Sequence, residues 1–198
     1  MHRLSVKGRA LAYAATFPEW APTRPRVFQG KMYGVWVMGN NYSNPTRYYG
    51  AYPCGYLKRL LCMFPDLKKR MMLFSGSLPK GNYVRVDINP ANKPDVCVDA
   101  NYLQKGFRVK GGKHSFDLIC ADPPYSKEAA ENYGYPMINR KAVVAECAKV
   151  LRPGGWLAWL DTTLPMFRKD VLEFRGLIGL SVSTNHVFRM TAFFQKRR

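Results

Sequence analysis

Asp122, Pro123, Pro124 and Tyr125 follow directly on Phe116 to Ala121, a run that is apolar except for Asp117. A continuous apolar, β-rich run closed by turn residues reads as a buried strand. Proline fixes its own φ and drives the preceding residue out of the helical region, so Asp122 and Pro123, each followed by a proline, sit on stiff, extended backbone. The strand end therefore presents a carboxylate and the Pro123 carbonyl as a rigid pair of acceptors beside an aromatic ring. Such a trio suits a planar base carrying an exocyclic amine: two acceptors take its two N–H groups and help the nitrogen pyramidalise, while the ring stacks on the base. In open α/β sheets the carboxyl edge is also where ligands bind. Without that chemistry, the same residues are a strand ending in a Pro-Pro turn, with Asp122 as a turn or capping residue.

The stretch resembles the catalytic D-P-P-Y motif of S-adenosylmethionine (SAM)-dependent amino-methyltransferases, above all the DNA adenine N6 type. The resemblance implies that Asp122 and the Pro123 carbonyl accept from the target amine and that Tyr125 stacks on the base, with Pro124 holding the turn between them. Motifs of this family that begin with Asp lean toward adenine, and Ser-first versions toward cytosine N4. Enzymes that methylate protein glutamine usually carry Asn where Asp122 stands.

The upstream elements that would position this site fall into a strand-then-acid rhythm. MMLFSGSLPKG, NYVRVDINP and DVCVDAN are each a short apolar or β-branched run closed by a turn-forming or acidic residue. Phe74-Ser75-Gly76 resembles the F-x-G cofactor loop of the family, extended through Ser77. Asp87, with Ile88, is similar to its ribose-binding acid, and Asp99, with Ala100, to the acid beside the adenine amine. The family loop usually reads F-x-G-x-G; here Ser77-Leu78 follow Gly76 and the next glycine is Gly81. Leu57, Leu60, Leu61 and Phe64 fall at helical spacing, with Pro53 suited to a first turn and Pro65 to a stop, which predicts a helix over 53 to 64. A helix preceded by Tyr52-Pro53 resembles the cofactor-flanking element of the same enzymes. The resemblance thus implies SAM as cofactor, contacted by Tyr52, Pro53, Phe74 to Ser77, Asp87, Ile88, Asp99, Ala100 and Asp122.

Downstream, Lys127 to Ile138 is polar and tyrosine-bearing and predicts a loop over the site, with Tyr133, Tyr135 and Arg140 placed to meet substrate. Val143, Cys147, Val150 and Leu151 predict a helix from about 139 to 151, stopped by an Arg152-Pro153-Gly154-Gly155 turn, then a buried strand WLAWLDT. Leu177 to Ser183 and Val187 to Gln195 predict a closing hairpin, with Asn185 and His186 near its tip as further substrate contacts. The links Asn89 to Pro94 and Asn101 to Lys113 are too short, or too rich in Gly, Pro and Lys, for full crossover helices. The expected fold is α/β, Rossmann-like, of the class I methyltransferase type: a mixed central sheet with a C-terminal antiparallel hairpin and reduced helical cover. It occupies residues 50 to 198.

Residues 1 to 49 predict a basic, aromatic-rich extension with one short strand at 33 to 38. Up to Pro65 only Glu19 opposes the basic residues Arg3, Lys7, Arg9, Arg24, Arg26, Lys31, Arg47, Lys58 and Arg59. Across the chain 31 basic residues face 13 acidic ones, a formal charge of +18 whose field attracts polyanions in a salt-dependent way. Nucleic acid is the expected partner, DNA ahead of RNA, with no membrane partner; the resemblance points to a cytoplasmic enzyme of a bacterium or a phage-infected cell. The expected reaction is methyl transfer to adenine N6 in DNA. An RNA base enzyme, for adenine N6 or guanine N2, and a non-catalytic nucleic-acid binder that kept the fold are the alternatives. No metal site is expected, since the three histidines form no ligand pattern, and the five widely spaced cysteines read as reduced core thiols.

Overall fold

The computed structural model describes residues 3–39, 52–107, 116–182 and 185–198; for Ala21, Pro22, Asn185 and His186 it describes the backbone alone. At the centre lies β6 (Phe116–Ala121), buried at every position, between β3 (Arg70–Leu73) and β7 (Leu151–Asp161) and parallel to both. Burial on both faces is why its sequence is a nearly unbroken apolar run. Its one charge is satisfied: Asp117 accepts from the Lys68 and Lys69 N–H groups at 3.1 and 3.0 Å and pairs with Arg152. Beyond β3 come β4 (Val84–Asp87) and the two-residue β5 (Val96–Cys97), again parallel. On the other side, β9 (Asn185–Lys196) inserts between β7 and β8 (Leu172–Val182), antiparallel to both.

The N-terminal segment is more ordered than its composition suggests. Its described part holds α1 (Val6–Thr16), β1 (Arg26–Phe28) and β2 (Lys31–Met38), and β2 joins the sheet parallel to β8, giving a nine-stranded order β1-β2-β8-β9-β7-β6-β3-β4-β5. Ser5 caps α1 by accepting from the Gly8 N–H at 3.1 Å. In β2, Met32, Trp36 and Met38 point inward, and Trp36 stacks on Tyr13 of α1 with ring centroids 5.6 Å apart. Gly176 lets the two strands meet: at φ 133° it lies against the Met32 backbone, where an added Cβ would stand 1.9 Å from the carbonyl oxygen.

Helix α1 and α2 (Tyr56–Cys62) cover one face of the sheet, with Trp36, Phe64, Trp156 and Phe193 beneath them. The opposite face packs under α3 (Leu103–Gly106) and α5 (Arg140–Val150). Helical cover around β4 and β5 among the described residues is sparse as expected, with single 3-10 turns at Pro90–Asn92 and Ala100–Tyr102 and the four-residue α3. Several local expectations change. Helix α2 begins at Tyr56, because Pro53 to Gly55 forms a turn closed by the Tyr56 N–H on the Pro53 carbonyl at 3.0 Å. Lys127–Asn132 is helix α4 rather than loop, since Ser126 caps it by accepting from the Ala129 N–H. Arg152 to Gly155 belongs to β7, with the register against β6 shifting there, instead of forming a separate turn. All five cysteines are free, but Cys54 and Cys97 are exposed, so only Cys120 and Cys147 are core thiols.

Candidate active site

The parallel strands bring their carboxyl ends to one edge of the sheet, and every acid of the strand-then-acid rhythm stands there. Asp122 leaves β6 half-buried, and Tyr125, three residues on, turns back so that its hydroxyl donates to Asp122 Oδ1 at 2.5 Å. Burial is the main force on this carboxyl and pushes its pKa up to about 7, opposed by the Tyr125 hydrogen bond and by Arg189, and reinforced by nearby Asp161. The Tyr125 hydroxyl is likewise pushed up by burial and by Asp122. Pro123 is buried, Pro124 half-buried on the cavity wall.

From Asp122 a cavity of about 760 Å³ runs along the edge to Asp99 and Ala100. That is within the roughly 300 to 1,000 Å³ of sites for small ligands and cofactors. Tyr52, Pro53, Phe74, Ser75, Gly76, Ser77, Asp87, Ile88, Asp99, Ala100 and Asp122 all line it, so every residue expected at the cofactor converges on one hollow. Phe74 adopts a left-handed φ of 61°, a conformation sparsely used by residues with a side chain, which turns the loop at the end of β3 sharply over the cavity. Asp87 fixes that loop. Its Oδ2 accepts from the Gly76 N–H at 2.7 Å and its Oδ1 from the Asn89 N–H at 2.8 Å. Asp87 thereby ties the loop after β3 to the end of β4 through its side chain.

The donor set fits SAM. Asp99, which lines the cavity with Val98 and Ala100, accepts from the Asn101 N–H and side-chain amide through Oδ1. Ser75 Oγ is buried against the cavity with no hydrogen-bond partner among the described residues, a polar group that a ligand would satisfy. Carboxylates at β4 and β5 suit ribose hydroxyls and an adenine amine, since each offers more acceptor sites than the protein uses.

Tyr133 and Tyr135, with Pro136 and Ile138, wall the cavity near Asp122, so α4 and the chain after it close the site from one side. Arg140 has a different place from the one expected. It is held by Asp161, its Nε at 2.7 Å and its Nη2 at 3.2 Å, while Nη2 also donates to the Tyr125 carbonyl at 2.9 Å. Its guanidinium positions the D-P-P-Y turn from behind. Asp161, fully buried at the end of β7, was not anticipated; it also accepts from Trp159 Nε1 and the Thr162 N–H. The signal was present, because WLAWLD repeats the rhythm of a strand closed by an acid. Arg189 of β9 was missed as well: its guanidinium lies 4.9 Å from the Tyr125 ring centroid, and its Nε is buried with no partner among the described residues. Only the β7–β9 pairing brings it there, so no local pattern could reveal it. The side chains of Asn185 and His186, and Arg47 of the basic N-terminal segment, lie outside the described residues.

No protein-family model matches the sequence, and no curated protein matches it. Solved structures do resemble it. TrmN from Thermus thermophilus, 15% identical, superposes with a TM-score of 0.52 over 75% of this chain and 50% of its own. This chain has the Rossmann-like methyltransferase fold. It spans about half the length of TrmN. Two looser likenesses are a methyltransferase from Pyrococcus furiosus (14% identity, TM-score 0.39, 97% and 98% of the two chains) and a structure titled for the conversion of a disulfide bond into a thioacetal group during echinomycin biosynthesis (12%, 0.40, 65% and 76%). In the sheet, β1 and β2 form the edge opposite to β4 and β5.

Proposed function

We propose that this protein transfers a methyl group from SAM to the exocyclic N6 amine of adenine in nucleic acid, with DNA as the polymer. The observation that carries the reading is the contact of Tyr125 with Asp122, a carboxyl that lines the cavity, on proline-stiffened backbone. When bound, the cofactor supplies an electrophilic methyl group. The Asp122 carboxylate and the Pro123 carbonyl accept from the two amine hydrogens, and Tyr125 stacks on the base. The amine loses its proton only as the new bond forms, so Asp122 acts by orientation and by stabilising developing positive charge rather than by prior deprotonation. Arg140 and Asp161 keep the turn from shifting, a small displacement of which misaligns the amine. A base in a duplex must be flipped out to reach this site, at a cost of a few kcal/mol, so single-stranded substrates should react at least as fast.

The test is incubation with isotopically labelled SAM and either DNA or RNA, followed by nucleoside mass spectrometry. N6-methyladenosine from RNA alone reassigns the polymer, and methylcytosine or methylguanine in place of N6-methyladenine reassigns the base. A cofactor test is independent of substrate. Asp87→Ala is expected to weaken SAM binding roughly tenfold to a hundredfold, the loss of about 1.5 to 3 kcal/mol for a charge-assisted hydrogen bond, read by calorimetry. Failure of the intact, folded protein to bind SAM would remove the enzyme reading altogether.

A further inference from the structure

We infer that the open sheet face formed by β1, β2, β8 and β9 is a stacking platform for unpaired nucleotides, holding a single strand that extends from the site. This inference rests on the nucleic-acid reading above. In β2 the residues that alternate with the buried Met32, Trp36 and Met38 are Tyr33, Val35 and Val37, exposed by 39%, 55% and 63%. Antiparallel register puts Phe28 of β1 on the same face, opposite Lys31, and Arg26 opposite Tyr33; Phe28 is 66% exposed. Parallel register sets Val35 beside Gly179 of β8, and Phe188 of β9 lies over that glycine, where an added Cβ would meet the ring at 2.4 Å. Phe188 is itself 55% exposed.

Three aromatic rings therefore lie on a face spread over four strands, about 14 Å across at the usual strand spacing. No helix lies over them among the described residues. The reason is local: the chain from β7 to β8, residues 162–171, contains no helix, and α3 and α5 cover the sheet farther in. An apolar patch of this kind marks an interaction surface.

The charge around it selects the partner. No Asp or Glu occurs from residue 20 to 65 or from 174 to 198, so the strands of the platform, apart from Glu173 at the start of β8, carry basic charge alone. Arg26 and Lys31 stand among the rings. Phosphates flanking stacked bases pair with such cations while the bases cover the rings, so one strand satisfies both features. Rings and cations on an open sheet are also the means by which sheet-based domains hold unpaired bases. The path leads to the chemistry. Phe188 and Arg189 are consecutive in β9 and so point to opposite faces, and Arg189 reaches the Tyr125 ring. A nucleotide stacked on Phe188 and the D-P-P-Y turn thus lie against the same stretch of β9 from its two faces.

The experiment uses the full chain, labelled oligothymidylate, oligouridylate and duplex DNA, with binding read by anisotropy over a range of salt. Leucine at the ring positions (Phe28→Leu, Tyr33→Leu, Phe188→Leu) keeps the face apolar but removes stacking. Each change should weaken binding of both single strands on the order of tenfold with the salt slope unchanged. Arg26→Ala and Lys31→Ala should each lower the slope by about one unit. Calorimetry with SAM should give wild-type affinity in all five variants, which shows that the fold is intact. Wild-type binding of single strands by the leucine variants overturns the platform while leaving the nucleic-acid reading in place; absence of binding by the unmodified protein overturns both. A dimer in sedimentation that Val35→Arg and Val37→Arg split, with oligonucleotide affinity unchanged, assigns the face to a second copy and also overturns the platform.

Discussion

Asp122→Ala should nearly abolish methyl transfer while SAM affinity and the cooperative melt stay close to those of the unmodified protein. The carboxylate is the one charged acceptor of the D-P-P-Y turn, and removing a preorganised group of this kind costs on the order of a hundredfold to a thousandfold in turnover. The pH dependence gives the change a signature. Ionised Asp122 is the acceptor, and burial raises its pKa to about 7, so kcat/KM in the free protein should climb as pH rises through that value. Tyr125→Phe deletes the hydrogen bond that favours the carboxylate, which should push this limb to higher pH; Tyr125→Ala also loses the stacking face and should be the slower enzyme. The stability linkage has the opposite sign from a salt-bridged acid. A carboxyl raised in the folded state contributes stability fully below its unfolded pKa, about 4, and loses that contribution as pH rises through 7. Asp122→Asn should therefore flatten the fall in melting temperature between those limits. A rate profile that keeps its limb near 7 in Asp122→Asn would assign that titration to another group.

Arg9→Ala should destabilise the fold by about 3 to 5 kcal/mol, the range for removing one partner of a buried ion pair. Arg9 was expected among the phosphate-binding residues of the N-terminal segment, yet it is fully buried. Its guanidinium donates to Asp66 at 2.9 and 3.1 Å and to the Met63 carbonyl at 3.1 Å, and lies over the Phe64 and Trp156 rings at 4.5 and 4.7 Å. Burial pulls the Arg9 pKa down, against the Asp66 interaction; burial alone would raise Asp66, but hydrogen bonds from Arg9 and the Leu4 N–H take it below the usual carboxylate range. The Asp66 contribution is present above that range and lost as pH falls below it. Urea melts of Arg9→Ala, Asp66→Asn and the double variant test the pair: the double variant should lose less than the sum of the singles. A loss under about 1 kcal/mol in Arg9→Ala would show that α1 is held by its apolar contacts alone. Arg3 also donates to the Pro153 carbonyl at 2.9 Å, and the cations of the described N-terminal segment for which no ion pair is shown are Lys7, Arg24, Arg26 and Lys31.

The site was legible because its residues lie at strand ends, where a short apolar run followed by an acid marks both the element and its chemistry. Asp87, Asp99 and Asp122 could each be found this way, and parallel pairing then forces them to one edge. What could not be read depends on pairing between distant segments. Arg189 meets Tyr125 only through β9, and Arg140 meets Asp161 only through the packing of α5 on β7. The first 39 residues misled for a related reason. Basic and aromatic residues there suggest a solvated arm, but Trp36 and Tyr13 stack in the core and Arg9 is neutralised by an acid 57 positions away. Composition has no means to signal that a charge will be buried once its partner is remote.

The place of β9 has a consequence for how the molecule assembles. It follows every other strand in the chain, yet it is the piece that joins β7 to β8. Until residue 196 is free to pair, the sheet exists as two fragments, β5-β4-β3-β6-β7 and β8-β2-β1, each with an open edge of unpaired amides and carbonyls. In the folded sheet β7 and β8 do not pair with each other; each takes its ladder from the antiparallel β9. Closure of the sheet therefore needs β9, the last of the described strands. The nascent chain meanwhile carries two adhesive edges, a period in which chaperone capture or self-association competes directly with closure of the sheet.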